Sequence, residues 1–297
     1  MNPAGPVARQ IGWKRCAPAE GSDPDPLLEQ ECSPAPGLIR RYENRALVLA
    51  TRRCFVHCAF CTRLPFVRDQ GGSELSVNVE AALGYIRGHE EIREVLVSGG
   101  DPLTLGDAAL DDLLDALHSI PHVRLLRLAT RAPMARPDRI TDALCAMLRS
   151  HGPLTVAVHF NHPDELTPDA REALARLADA GLVLINQTVL LGGVNDDPEV
   201  LARLCWQLAE ARVRPYSLLQ CDRVAGTEGF WVGLERALDI AARLEADLPG
   251  PAVPAFVVDL PGWEGKARLG AHDPPRRVEG GFMITGRSGR EILYPDP

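Results

Sequence analysis

ALVLATRRCFVHCAFC, residues 46–61, joins an apolar run of strand length directly to a loop that carries Cys54, Cys58 and Cys61. Its first half reads as a buried β-strand ending at Thr51. Its second half places three thiols at the strand's C-terminal end, the side on which α/β sheets bind ligands.

Outward from this stretch the same unit repeats. Further β-rich runs begin at Glu94 (EVLVSG), Val123 (VRLLRLAT), Leu154 (LTVAVHF), Leu182 (LVLINQTVL) and Pro215 (PYSLLQC). Helical patterns separate them, with Leu110, Leu113, Leu114 and Leu117 on one face of one helix, and Leu174 and Leu177 before a stop at Gly181 in another. Six β/α repeats predict an α/β fold built on a parallel sheet. Right-handed crossovers curl such units into a partial (β/α)6 TIM-like barrel or leave an open doubly wound sheet, and the strand pattern alone leaves both standing. Polar signatures fall at the strand ends: RRC, SGGDP, TRAP, HFNHP, NQT and QCD.

Residues 1–37 are rich in Pro, Gly and charge and read as an arm with at most one helical turn, residues 38–250 as the core, and residues 251–297 as a C-terminal segment. Within that segment, the run from Pro254 predicts one more strand, a Gly-rich loop carrying Lys266, and an irregular tail.

The chain has 297 residues, with 32 Lys and Arg against 40 Asp and Glu, a net charge of -8 that argues against a nucleic-acid or anionic-membrane partner. No apolar run approaches the roughly 20 residues of a membrane span, and the N-terminus lacks a signal-peptide core, so a cytoplasmic location is expected. Of eight cysteines, three crowd into residues 54–61. Cys16, Cys32, Cys145, Cys205 and Cys221 scatter and are expected to be packing thiols.

Three thiolates on a [4Fe-4S] cluster leave one iron without a protein ligand. S-adenosylmethionine (SAM) can chelate such an iron through its amino and carboxylate groups, placing its sulfonium for one-electron cleavage. A zinc site completed by His57 or a distant His is the alternative. Ser98-Gly99-Gly100-Asp101, at the end of the second strand, has paired glycines that let a ligand approach the backbone, with exposed amides and carbonyls suited to the methionyl end of SAM; taken alone it is a turn.

Asp222 and Asp259 each end an apolar run, where a carboxylate is costly unless it meets a cation. Two of them on one cavity would select a basic ligand, whereas either alone fits a helix cap or salt bridge. Taken by themselves, Lys266, Tyr42 and Arg45 are ordinary surface residues and His159 a structural histidine.

RYENRALVLATRRC, CTR, SGGDPLTL, TRAP, HFNHP, NQTVLLGGVND, RPYSLLQCD and FVVDLPG followed by GK occur in order from about residue 25 to near the C-terminus. This set resembles lysine 2,3-aminomutase and its relatives among the radical SAM enzymes. The resemblance implies a radical SAM partial barrel, a [4Fe-4S] cluster on Cys54, Cys58 and Cys61, SAM, and pyridoxal 5'-phosphate (PLP) joined to Lys266. It implies that Tyr42 and Arg45 contact PLP, and that Ser98, Gly99, Gly100, Asp101, His159 and Gln187 lie around SAM. Arg63 would bind the substrate carboxylate, and Asp222 and Asp259 the ammonium of a lysine side chain. The implied reaction converts L-lysine to β-lysine. Implied partners are a small amino-acid substrate and an electron donor such as flavodoxin or ferredoxin, with a homo-oligomer left open.

Two departures bear on the substrate. The family's T-R-R-R-F after the third cysteine is Thr62-Arg63-Leu64-Pro65-Phe66 here, and its G-G-G-G-K-T-P is Gly262-Trp263-Glu264-Gly265-Lys266-Ala267-Arg268. Bulk and charge beside Lys266 keep another basic amino acid, such as arginine, open as substrate, as well as a different radical SAM reaction. A zinc-stapled binding protein without catalysis is the reading from another class.

Overall fold

The computed structural model describes residues 5–12, 23–67, 79–270 and 274–296. A nine-stranded sheet runs in strict chain order. It opens with β1 (Leu38–Ile39), antiparallel to β2 (Arg45–Thr51). From β2 the strands β3 (Glu94–Gly99), β4 (Leu125–Thr130), β5 (Leu154–Val158), β6 (Val183–Leu190), β7 (Arg214–Gln220) and β8 (Ala255–Leu260) are all parallel. β9 (Gly265–Arg268) closes the sheet antiparallel to β8.

Sequential order settles the choice between the two α/β architectures. A doubly wound sheet reverses direction at a switch point, whereas a sheet that only adds strands forward keeps every right-handed crossover on one face and curls around the other. The six expected repeats are present, and β8 adds a seventh parallel strand. The barrel is partial: in the sheet order β1 and β9 are its two free edges.

The outer layer is helical. α1 (Pro6–Arg9) and α2 (Leu64–Val67) are single turns; α3 (Val79–Arg87) and α4 (Asp107–His118) follow β2 and β3. α5 (Ala132–Ala135) and α6 (Asp142–Ser150) follow β4, and α7 (Pro168–Asp179), α8 (Pro198–Glu210) and α9 (Leu234–Asp247) follow β5, β6 and β7. Helix starts have local causes: the side chains of Thr141, Thr167 and Asp197 accept first-turn backbone N–H groups, with Pro at the start of α7 and α8. The leucines of α4 singled out by spacing are buried, as are Leu174 and Leu177 of α7. They meet Val97, Leu128, Val156 and Val158 in the main core.

The C-terminal segment differs from the expected loop and irregular tail. Lys266 lies within β9, and the tail forms an antiparallel sheet of β10 (Arg276–Val278), β11 (Gly281–Thr285) and β12 (Glu291–Pro295). Phe282 and Ile284, two residues apart on β11, both reach the main core. Five-residue runs carry too little periodicity to announce this beforehand.

Cys32, Cys145, Cys205 and Cys221 are buried, as expected of packing thiols, while Cys16 lies outside the described residues. No described helix is long and apolar enough to cross a membrane.

Candidate active site

The loop after β2 carries Cys54, Cys58 and Cys61, all partly exposed and none in a disulfide. Phe60 anchors it, stacking on His159 with ring centroids 5.7 Å apart and meeting Phe230 edge-on at 6.3 Å. Residues of the N-terminal arm clamp it from outside: the amide of Ala59 donates to Gln10 O and that of Gly12 to His57 O, both at 2.9 Å. Burial, then Asp101 and the other two cysteines, push the Cys54 thiol up to about 12. A bound cation would reverse that penalty, because metal-ligating thiols are deprotonated outright. Among the described residues no three His, Cys, Asp or Glu side chains converge on one ion position. A cluster asks less of its ligands, since each thiolate binds a different iron.

The Gly-Gly turn at the end of β3 also has a structural task. Two of its amides are committed within the chain: Gly100 N donates to Thr51 O at 2.6 Å and Asp101 N to Arg53 O at 2.7 Å. A Cβ on Gly99 would lie 2.6 Å from Thr51 O, and one on Gly100 2.1 Å from Arg53 O. The missing side chains let the cysteine loop's own backbone dock. Asp101 is equally committed. Its buried carboxylate accepts from Leu103 N, Thr130 Oγ1 and Arg131 N at 3.0, 2.7 and 2.8 Å, tying β3 to β4. Ser98 is buried within β3. Gly100→Ala should cost about 1–3 kcal/mol through backbone overpacking. A lowered Tm, with reduced iron incorporation on reconstitution, checks it.

A second group gathers where the sheet ends. Asp259 on β8 and Lys266 on β9 are register partners, and the Lys266 ammonium donates to the Asp259 carboxylate. The other Asp259 oxygen lies 2.8 Å from Arg41 Nη2. Arg41 also donates from Nε to Gly262 O at 3.0 Å, and Gly262 N to Leu27 O at 2.8 Å, so the arm closes over the sheet edge. Burial works against both charges, but the attraction of Lys266 and Arg41 for Asp259, and of Asp259 and Asp222 for Lys266, outweighs it. Asp259 is held below the usual carboxylate range and Lys266 above the usual lysine range.

Asp222, in the loop after β7, feels the same group. Burial and then the charge of Asp259 raise its carboxyl to about 7. A proton held by the folded state and released by the unfolded chain makes stability fall as pH rises from about 4 to about 7. Asp222→Asn should flatten that slope in thermal unfolding of the apo protein.

Tyr42 reaches Lys266 from the arm side, its hydroxyl accepting from Lys266 N at 2.8 Å. A Cβ on Gly265 would lie 2.7 Å from the Tyr42 ring, so this contact needs glycine there. Arg45 stacks on the outer face of that ring, its guanidinium 4.3 Å from the centroid. Glu264, expected to charge the surroundings of Lys266, instead receives Ser288 Oγ at 2.7 and 2.8 Å and holds the β11–β12 turn.

Arg63 and Glu29 link the two groups. Arg63 Nη2 lies 3.4 Å from Glu29 Oε1, while Arg63 Nε and Glu29 Oε2 are buried without a partner among the described residues. The Glu29 charge also bears on Arg41 and Asp222. Inside the curl, Gln187 on β6 is paired in register with Ser217 on β7, whose hydroxyl is buried without a partner among the described residues, as is His159 Nε2. Burial and then Arg131 lower His159 to about 3, so it is neutral. Arg41, Glu29, Arg131 and Glu165 escaped the sequence reading. Glu29 sits in an irregular arm, and their partners lie far away along the chain.

Residues 48–205 match the Radical SAM superfamily. The chain is 44% identical over 242 residues to an L-lysine 2,3-aminomutase of Fusobacterium nucleatum, covering 82% of this chain and 57% of the relative. It is 38% identical over 273 residues to L-lysine 2,3-aminomutase of Escherichia coli, covering 90% of this chain and 79% of that one. The chain belongs to the lysine 2,3-aminomutase family of radical SAM proteins. A glutamate 2,3-aminomutase of Clostridioides difficile in the same range is 40% identical over 250 residues, covering 84% of this chain and 59% of that protein. A radical SAM methyltransferase from Sphaerobacter thermophilus shares the fold at TM-score 0.50 and 17% identity, over 75% of this chain and 68% of that one. This chain spans between 56% and 64% of the lengths of the first five curated relatives it matches.

Membership in the superfamily implies a [4Fe-4S] cluster and SAM, and membership in the aminomutase family implies PLP. The residues present fit all three. The three thiols share one loop, buried polar atoms of His159 and Ser217 lack a partner among the described residues, and a lysine amine stands beside two carboxylates.

Proposed function

We propose that this protein is a PLP-dependent radical SAM aminomutase that moves the α-amino group of L-lysine to carbon 3, giving β-lysine. The observation that carries the substrate is the Lys266 ammonium bound by Asp259 with Asp222 beside it. An ammonium already rests there, and with Lys266 committed to PLP the same two carboxylates would hold the substrate's side-chain ammonium.

Cys54, Cys58 and Cys61 hold the cluster, with Ser98, Gly99, Gly100 and Asp101 positioning their loop. His159 and Gln187 line the SAM site from β5 and β6, and Tyr42 and Arg45 flank the PLP that Lys266 carries. When bound, these cofactors supply a deoxyadenosyl radical and a conjugated ring through which nitrogen migrates. The chain's own residues do the rest. Arg63 offers a planar guanidinium to the α-carboxylate, and its buried, unpartnered Nε is a donor the carboxylate can satisfy. Asp259 and Asp222 bind the far ammonium and reject an acidic side chain by like-charge repulsion.

Reduction requires an electron donor such as flavodoxin or ferredoxin, and a homo-oligomer is compatible with this reading. Residues 1–37, 38–250 and 251–297 serve as arm, radical core and PLP segment. Arginine is the second reading, motivated by Trp263 and Glu264. The turn of Glu264 toward Ser288 removes half of that motive. Anaerobic incubation of reconstituted protein with SAM, PLP, reductant and a panel of lysine, arginine, ornithine and glutamate tests the proposal by mass spectrometry of products. β-Lysine is expected, and turnover of glutamate alone overturns it. Stoichiometric zinc without iron would support the scaffold reading instead.

A further inference from the structure

Arg131 stands outside everything assigned above, yet its backbone amide and both terminal nitrogens are held, its Nε alone lacking a partner among the described residues. It follows β4, and its side chain is 6% exposed. Its backbone amide is held by Asp101 at 2.8 Å. Its Nη2 donates to Glu165 Oε1 at 2.6 Å and to Gln10 Oε1 at 2.7 Å. Glu165 is itself fixed, since its other oxygen accepts from the amides of Asn161 and His162, and its side chain has no exposed surface. Gln10 is pinned by Asn161 Nδ2 at 2.9 Å, and its carbonyl accepts from Ala59 in the cysteine loop. The guanidinium packs 5.6 Å from the Phe60 ring. With one side of the fork so held, Nη1 aims outward and donates to Cys58 Sγ at 2.9 Å.

We infer that Arg131 is a redox-positioning residue: its N–H···S bond to Cys58 raises the reduction potential of the cluster and makes the one-electron reduction easier. This rests on the proposed role of Cys58 as a cluster ligand. Hydrogen bonds to cluster sulfurs and burial are among the factors that set iron-sulfur potentials. An added electron enlarges the negative charge on the thiolate sulfur, so a charge-assisted donor stabilises the reduced form more than the oxidised one. The low-dielectric setting strengthens that difference. Glu165 does not cancel it, because the donor hydrogen points at sulfur while the carboxylate sits at the other nitrogen. The step is electron transfer alone, from an external reductant to the cluster, with no bond made or broken.

A merely structural Arg131 predicts an unchanged midpoint, and a tuning one a shifted midpoint, in a paired substitution. Arg131→Met with Glu165→Gln removes both buried charges together, leaving neither ion stranded, and deletes the donor to sulfur. Redox titration monitored by electron paramagnetic resonance should show a more negative midpoint. At a fixed potential the ratio of reduced to oxidised cluster falls about tenfold, which is ~59 mV for a one-electron couple. Glu165→Gln alone keeps the donor and should leave the midpoint unchanged or raise it. A double variant with an intact cluster and the wild-type midpoint overturns the inference.

Should that variant fail to assemble a cluster, wild-type protein carrying 15N-arginine decides. Electron spin echo modulation of the reduced cluster should show hyperfine coupling to an arginine nitrogen, and its absence overturns the inference. Wild-type protein that binds no cluster at all would instead sink the assignment of Cys58 as a ligand.

Discussion

Lys266→Ala is expected to leave a folded protein that still cleaves SAM when reduced but has lost its PLP absorbance. Amine migration should fall on the order of 10³-fold or more, the scale on which members of a catalytic unit fail when removed. The substitution acts twice. It deletes the amine that carries PLP, and it takes away the cation beside Asp259 and Asp222. Arg41 still faces Asp259, so one carboxylate keeps a partner. Asp222 keeps its proton to still higher pH. Lys266→Arg separates the two effects by restoring the positive charge without an amine able to join PLP. Arginine at this position should recover the Tm of the wild type but neither the absorbance nor the turnover. Product formation at the wild-type rate in either variant would remove Lys266 from the proposed mechanism.

Cys58→Ala should abolish both iron retention and SAM cleavage, while the polypeptide stays folded. The loop does not depend on this thiol for its position, because Phe60, the Gly99–Gly100 docking and the Gln10 clamp all remain. Arg131 loses one acceptor but keeps Glu165 and Gln10, a cost of about 1–3 kcal/mol. Cys205→Ala is the control of opposite kind. That thiol is packed in the main core, raised to about 12 by burial, and its removal opens a small cavity with a modest loss of Tm. Iron and sulfide analysis after anaerobic reconstitution should find a full cluster in Cys205→Ala and none in Cys58→Ala. Equal iron in both would count against the cysteine loop as the cluster site.

The strands from Ala46 to Pro215, the leucine face of α4 and the Gly181 stop were legible because each is written within about a dozen consecutive residues, at the period of one element. Cys54, Cys58 and Cys61 were legible for the same reason. Lys266, Arg63, Asp222 and Asp259 were named through ordered resemblance, since nothing local distinguishes them from surface charges. The structure then joined two of them, Lys266 with Asp259. At the Gly99–Gly100–Asp101 turn it showed that the Gly100 and Asp101 amides and the Asp101 carboxylate bind within the chain itself.

Local patterning therefore sets the alternation of strand and helix, the end of the strands at which polar residues collect, and three thiols in one loop. The folded chain sets the winding of the sheet into a partial barrel, since strand order is a property of pairing between segments. It alone decided that Lys266 sits on a strand opposite Asp259, that Arg41 returns across the edge to meet that pair, and that Arg131 aims at Cys58. These contacts join residues 7, 218 and 73 positions apart. The first needs a strand register and the other two need the folded path of the chain, neither of which local periodicity encodes.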